Sequence, residues 1–149
     1  MVAVRRLVPG DEAIACAMFA MMKEVFEEDS EDGGNPLRVD DAKQLLSRAD
    51  FWALVATESG NVVGGLTAHA LPMTRSRATE LFIYDLAVKT DRQRQGIGRK
   101  LVTKLLSLAR AAGIETTFVP ADNEDTHALD FYRALGGTAS PVTFFTFQH

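Results

Sequence analysis

Residues 93–100 read Gln93-Arg94-Gln95-Gly96-Ile97-Gly98-Arg99-Lys100 and follow closely on the apolar run Leu86-Ala87-Val88. Two glycines spaced by one residue let backbone N–H groups approach an anion, and a helix opening at about Ile97 adds unpaired amides and the positive end of its dipole. Arg92, Arg94, Arg99 and Lys100 place cations around the same turn. The chemistry this spacing suits is the holding of phosphate. It is neither the dinucleotide fingerprint Gly-x-Gly-x-x-Gly nor a P-loop, which would end in Lys-Ser/Thr. Acids gather elsewhere. Glu24, Glu27, Glu28, Asp29, Glu31 and Asp32 crowd ahead of Gly33-Gly34-Asn35-Pro36, and Asp122-Asn123-Glu124-Asp125 follows Pro120. The first run reads as a solvated helix end that also suits a cationic partner. The second reads as helix capping, with Asp125 or Asn123 as N-cap.

Other chemistries are excluded by type and spacing. His69, His127 and His149 have no metal-ligand spacing, so no metal is expected. No Gly-x-Ser-x-Gly elbow or Cys/His pairing points to hydrolysis. The single cysteine, Cys16, allows no internal disulfide; between Ala15 and Ala17 it reads as a small buried hydrophobe. A net charge of −4 argues against a nucleic-acid surface. With no run near 18 apolar residues and no leader-like N-terminus, a soluble cytoplasmic protein away from membranes is expected.

The elements that must position the glycine turn are legible in outline. At 149 residues, 46% hydrophobic and 24% charged, the chain fits one domain over 1–149 with a sizeable core. Residues 2–8 alternate as a first strand, and Pro9-Gly10-Asp11 is a turn whose Asp can cap a helix running to about residue 28. Residues 37–47 suggest a shorter helix. Residues 51–56 and 62–68 form a hairpin around Ser59-Gly60-Asn61. Residues 79–88 give a central strand, and a long helix to residue 112 carries Leu101, Leu105 and Leu108 on one stripe and stops at Gly113. A strand at 114–119, a helix at 126–135 and a closing Phe- and Thr-rich strand at 142–147 complete the order. Strand, helix, strand across 82–119 implies a parallel crossover within a mixed sheet.

The glycine turn in this setting resembles the acetyl-CoA motif of the GNAT superfamily of N-acyltransferases, Gln/Arg-x-x-Gly-x-Gly/Ala, with Gln93, Gly96 and Gly98 in place. A second element of that superfamily, a helix ending in tyrosine and Leu-Gly, is matched by Phe131-Tyr132-Arg133-Ala134-Leu135-Gly136. The resemblance implies an α/β fold: a GNAT-like mixed, mostly antiparallel central sheet flanked by helices, with a phosphate-binding turn between the central strand and the next helix. It implies acetyl-CoA as co-substrate. Leu86, Ala87 and Val88 would bond the pantetheine arm, and Gln93, Arg94, Gln95, Gly96, Ile97, Gly98 and Arg99 would hold the pyrophosphate.

Within the superfamily the central segment Glu80-Leu81-Phe82-Ile83-Tyr84-Asp85-Leu86-Ala87-Val88 is most similar to the gentamicin-type aminoglycoside 3-N-acetyltransferases. The likeness extends from about Phe51 through Gly64-Gly65-Leu66, Leu71-Pro72 and Ala121-Asp122 to Gly136, and weakens on either side. It implies transfer of acetyl to an amine of an aminoglycoside, a cationic small molecule. An ammonium cannot attack a thioester, so the site needs a proton acceptor, an oxyanion donor and a proton for the departing thiolate. Asp85, beside Leu86 on the central strand, is assigned to amine binding and proton acceptance, directly or through water. Its plain alternative is a carboxylate bonded to a neighbouring strand. Glu80 is a second, more distant candidate base. Tyr84 points away from Asp85 by strand alternation unless a bulge turns it. Tyr132 is the expected proton donor to the thiolate, and the Val88 N–H the oxyanion donor. Asp122, Glu124, Glu28 and Asp29 are candidates for holding further ammonium groups. Two other readings stay open: the same transfer to a polyamine, amino acid or peptide amine, and a non-catalytic acyl-CoA sensor. The Phe144-Phe145-Thr146-Phe147 end is a candidate edge strand for a homodimer, or core.

Overall fold

The computed structural model describes residues 1–26 and 36–149. Glu28, Asp29 and most of the acidic run therefore lie outside the described residues. The chain divides into two compact units, Met1–Val119 and Pro120–His149.

The first unit is built on a five-stranded open sheet: β1 (Val2–Arg6), β2 (Phe51–Glu58), β3 (Asn61–Pro72), β4 (Thr79–Val88) and β5 (Thr116–Phe118), in spatial order β1-β2-β3-β4-β5. The first three pairings are antiparallel and β4–β5 is parallel. This is the mixed, mostly antiparallel α/β sheet expected of a GNAT-like chain. The parallel pair needs a crossover, supplied by α3 (Ile97–Ala111). Two further helices, α1 (Glu12–Phe26) and α2 (Val39–Leu46), precede the hairpin.

Adjacent glycines in β3 reveal which helix covers which face. A Cβ on Gly65 would meet Met18 Sδ of α1 at 2.6 Å, whereas one on Gly64 would meet Ile97 Cγ2 of α3 at 2.9 Å. Neighbouring strand residues point to opposite faces, so α1 and α3 sandwich the sheet. Both helices come this close because the two positions lack side chains. Ile97, Leu101, Val102, Leu105 and Ala109 form the buried stripe of α3, and Met18, Met21 and Met22 belong to that of α1. β2 is buried along Phe51–Ala56, as a strand covered on both faces must be. No helix among the described residues is long and apolar enough to cross a membrane.

Several boundaries differ from the sequence expectation. β1 stops at Arg6, because Asp11 turns back to accept hydrogen bonds from Val8 N–H (2.8 Å) and the Arg5 guanidinium (2.9 Å) rather than forward into the helix. β3 runs four residues further than expected, to Pro72, because β4 is long enough to pair with it throughout. No strand forms at 142–147: Val142, Phe144, Phe145 and Phe147 are exposed and unladdered. Alternating aromatics favour a strand only where a neighbouring strand offers a ladder.

Candidate active site

β3 and β4 shape the site through one irregularity. Their pairing runs Thr67↔Asp85 and then Ala68↔Ile83, so Tyr84 is an extra residue in β4. A bulge of this kind breaks the period-two alternation and re-aims side chains. Tyr84 and Asp85, consecutive in sequence, consequently both line one pocket of about 360 Å³ against α1. The bulge is the exception that strand alternation allowed for. His69, two residues beyond Thr67, joins them in the wall, with Phe51 beside it on β2 and Phe19 and Met22 contributed by α1. Its ring meets Tyr84 edge-on at 5.6 Å and Phe51 at 5.5 Å between centroids. Cys16 is half-buried in the same wall.

Asp85 is half-buried, and among the described residues no group donates a hydrogen bond to it. Burial pushes its carboxyl above the ordinary value, partly opposed by nearby His69. A desolvated carboxylate with no donor among the described residues is held at a cost, which is the usual mark of a ligand-facing group. Glu80 lies five residues back along β4, paired with Leu71 and Thr116, and is not in the pocket wall.

Beyond the bulge, β4 leads to the glycine turn. The β5 ladder ends at Phe82, so on that side Leu86, Ala87 and Val88 lie beyond the paired stretch. Gln93 closes the turn by donating its side-chain amide to the Val88 carbonyl at 3.1 Å. Arg94 holds φ +64° and Gly96 φ +79°. The left-handed region costs a non-glycine residue roughly 1–2 kcal/mol, strain that tends to persist at ligand clamps. Lys100 N–H to the Gly96 carbonyl (3.0 Å) is the bond that opens α3, which leaves the Gly98 and Arg99 amides for a ligand. Of the surrounding cations, Arg92 is committed to Glu58 at 3.0 Å. Arg94, Arg99 and Lys100 are exposed. The left-handed glycine, open amides and cations fit a pyrophosphate, and the unpaired β4 edge fits an amide-bearing arm.

Residues 14–136 match the model of the acetyltransferase (GNAT) family. The chain belongs to that family. Among solved structures, this GNAT chain is similar to an aminoglycoside acetyltransferase from an uncultured soil metagenomic sample, at 34% identity and TM-score 0.91, covering 100% of this chain and 99% of that one. A second aminoglycoside acetyltransferase from such a sample, in complex with sisomicin, matches at 33% identity and TM-score 0.90 over 99% of this chain and 95% of the other. A curated relative, N-acetyltransferase 8B of Homo sapiens, is 28% identical over 71% of this chain and 47% of its own length. The chain thus spans about half or less of the curated relatives it matches.

The second unit carries the remaining candidates of this GNAT chain. Its helix, α4 (Thr126–Ala134), is capped by Asp125, which accepts the Ala128 N–H at 3.0 Å. Asp122 accepts the Glu124 N–H at 2.9 Å and so shapes the loop before it, while Glu124 is exposed. Tyr132 is half-buried beside Phe131, with burial and then Asp125 pushing its phenol up. Sequence reasoning missed His69, which was weighed only as a metal ligand, and Phe19 and Phe51 as pocket wall. The Phe51-to-Leu71 hairpin register, Phe51↔His69, was the signal that could have placed them together.

Proposed function

We propose that this GNAT chain transfers the acetyl group of acetyl-CoA to an amine of an aminoglycoside, at the 3-amino group. The observation that carries the reading is the bulge in β4. It puts the Asp85 carboxylate in a pocket on the same strand whose next residues run into the glycine turn. Support comes from the two aminoglycoside acetyltransferases at 33–34% identity over nearly the whole chain.

When bound, acetyl-CoA supplies an acetyl thioester. Leu86, Ala87 and Val88 would hold its arm through backbone groups, and residues from Gln93 to Arg99 its pyrophosphate. Asp85 pairs with the acceptor ammonium, orients it and draws off its proton directly or through water. The Val88 N–H would be the donor to the carbonyl oxygen as charge develops there. Tyr132 is the proton donor to the departing thiolate; a phenol pushed up by burial stays protonated at neutral pH. Asp122 and Glu124 hold further ammonium groups, and Glu80 is the reserve base.

A second reading is the same transfer to a polyamine, amino acid or peptide amine, and one observation favours an acceptor with a single amine, as in the last two. Among the described lining residues Asp85 is the single acid, set in a wall dominated by Phe19, Phe26, Phe51 and Met22. Thiol release with sisomicin-like aminoglycosides, spermidine and a lysine peptide separates the two. Preference for the 3-amino aminoglycosides supports the first, and turnover confined to the others supports the second.

A further inference from the structure

Among the titratable groups lining the pocket, Asp85 on β4 and His69 on β3 stand on adjacent strands, and the mechanism above uses only the first. Among the described residues, His69 is not held as a hydrogen-bonded structural histidine. Its ring is clamped between Phe51 and Tyr84, at 5.5 and 5.6 Å, and no described residue hydrogen-bonds its nitrogens. The clamp fixes the ring plane and leaves the ring nitrogens for whatever enters the pocket. Thr67 is the partner of Asp85, and His69, two residues on, pairs with Phe82 across the bulge; both side chains line the same pocket, and His69 is close enough to act electrostatically on Asp85.

We propose that His69 is the proton acceptor for the acceptor amine, and that Asp85 binds and orients that amine as its counter-ion. This rests on the acetyltransferase reading and refines one role in it: the proton that the reading above lets Asp85 draw off goes to His69 instead. Two roles held by two groups solve a difficulty that one group leaves. A carboxylate is a good partner for an ammonium but a poor base at neutral pH, whereas an imidazole titrates near neutrality. The balance is as follows. The ammonium gives one proton to a neutral imidazole nitrogen, and the freed lone pair forms the N–C bond to the acetyl carbon. The C–S bond then breaks with its electron pair on sulfur. A second nitrogen proton is lost as the amide forms, the thiolate gains one proton from its donor, and the imidazolium returns its proton to solvent. One proton is released per turnover in all.

The groups facing His69 set its environment. Asp85 and Tyr84 face it from β4, Asp50 lies near it just before β2, and Cys16 and Lys23 line the pocket from α1. Strand alternation puts Glu80 on the same face, beyond Phe82.

The test is His69→Phe beside His69→Gln, assayed with whichever amine the wild type turns over. Phenylalanine keeps the aromatic clamp but cannot accept a proton. Expected in both variants are a kcat lower by about 10²-fold or more, acetyl-CoA KM within about twofold, and loss of the acid limb that the wild type shows in its kcat/KM profile. A His69→Gly variant partly restored by added imidazole would support the same role. A His69→Phe enzyme with wild-type kcat and an unchanged acid limb would overturn it, leaving the acetyltransferase reading intact. A wild type inert towards every amine would overturn that reading and this one together. If His69→Phe unfolds, His69→Gln carries the same pH test. Circular dichroism and acetyl-CoA affinity identify a variant that is merely misfolded.

Discussion

Replacing Asp85 by Asn separates the roles this carboxylate could have, because stability and activity should move in opposite directions. The side chains are nearly isosteric, so the pocket wall stays as it is. What disappears is a charge that no described residue pairs through a hydrogen bond and that burial disfavours. For an acid whose folded-state value is raised, ionisation penalises the folded state as pH climbs through the ordinary carboxylate range, and the penalty is fully present above the folded value. Asp85→Asn should therefore melt at or above the wild-type Tm at pH 8, with the gain vanishing towards pH 3. Activity should fall. A hydrogen bond to a charged partner contributes about 1.5–3 kcal/mol, roughly 10- to 150-fold in kcat/KM for the acceptor. The glycine turn is untouched, so acetyl-CoA affinity should change by less than about twofold. Differential scanning fluorimetry at the two pH values, with kinetics varied separately in each substrate, reads all three quantities. A lower Tm at pH 8 would show a structural carboxylate bonded within the sheet. Equal loss of coenzyme affinity and turnover would remove Asp85 from the acceptor side of the reaction.

Other variants test the frame. Gly65→Ala drives a methyl into the Met18 side chain, which is fully buried, and should cost about 1–3 kcal/mol, a drop of several degrees in Tm; an unchanged Tm would mean that α1 does not pack there. Gly96→Ala meets open space but keeps φ +79°. It should destabilise by roughly 1–2 kcal/mol and weaken acetyl-CoA binding measured by calorimetry, with acceptor KM unaffected. Asp125→Ala removes the α4 cap, costing about 1 kcal/mol, seen as faster hydrogen exchange confined to 126–134. If the acidic run at 24–32 and the net charge of −4 steer a cationic acceptor, kcat/KM should fall as salt rises, and a flat response would count against steering.

The parts of the fold that rest on local pattern were readable from the chain. Gly96 and the apolar stripe Leu101, Leu105 marked the turn and α3, and Ser59-Gly60-Asn61 marked the hairpin. The parts that depend on pairing were not. Alternation sends Tyr84 away from Asp85, and only the ladder with β3 reveals the extra residue that turns both into the pocket. His69 carries no local signal at all, since its place in the wall comes from facing Phe51 across β2 and β3. Phe144, Phe145 and Phe147 have the composition of a strand, yet no ladder takes them up. The capping residue of α4 was legible as Asp125 or Asn123, and the structure selects Asp125 because its carboxylate reaches the Ala128 N–H.

The central claim is acetyl transfer to an aminoglycoside amine, and thiol release from acetyl-CoA measures it directly. Purified protein would be offered 3-amino aminoglycosides, spermidine and a lysine peptide in parallel, with the product's acetylated nitrogen located by NMR. The account predicts saturable turnover on the aminoglycosides, acetylation at the 3-amino group and little on the other amines. Turnover confined to spermidine or the peptide would contradict the substrate while keeping the chemistry. Acetyl-CoA binding without turnover of any amine would contradict the claim of catalysis itself.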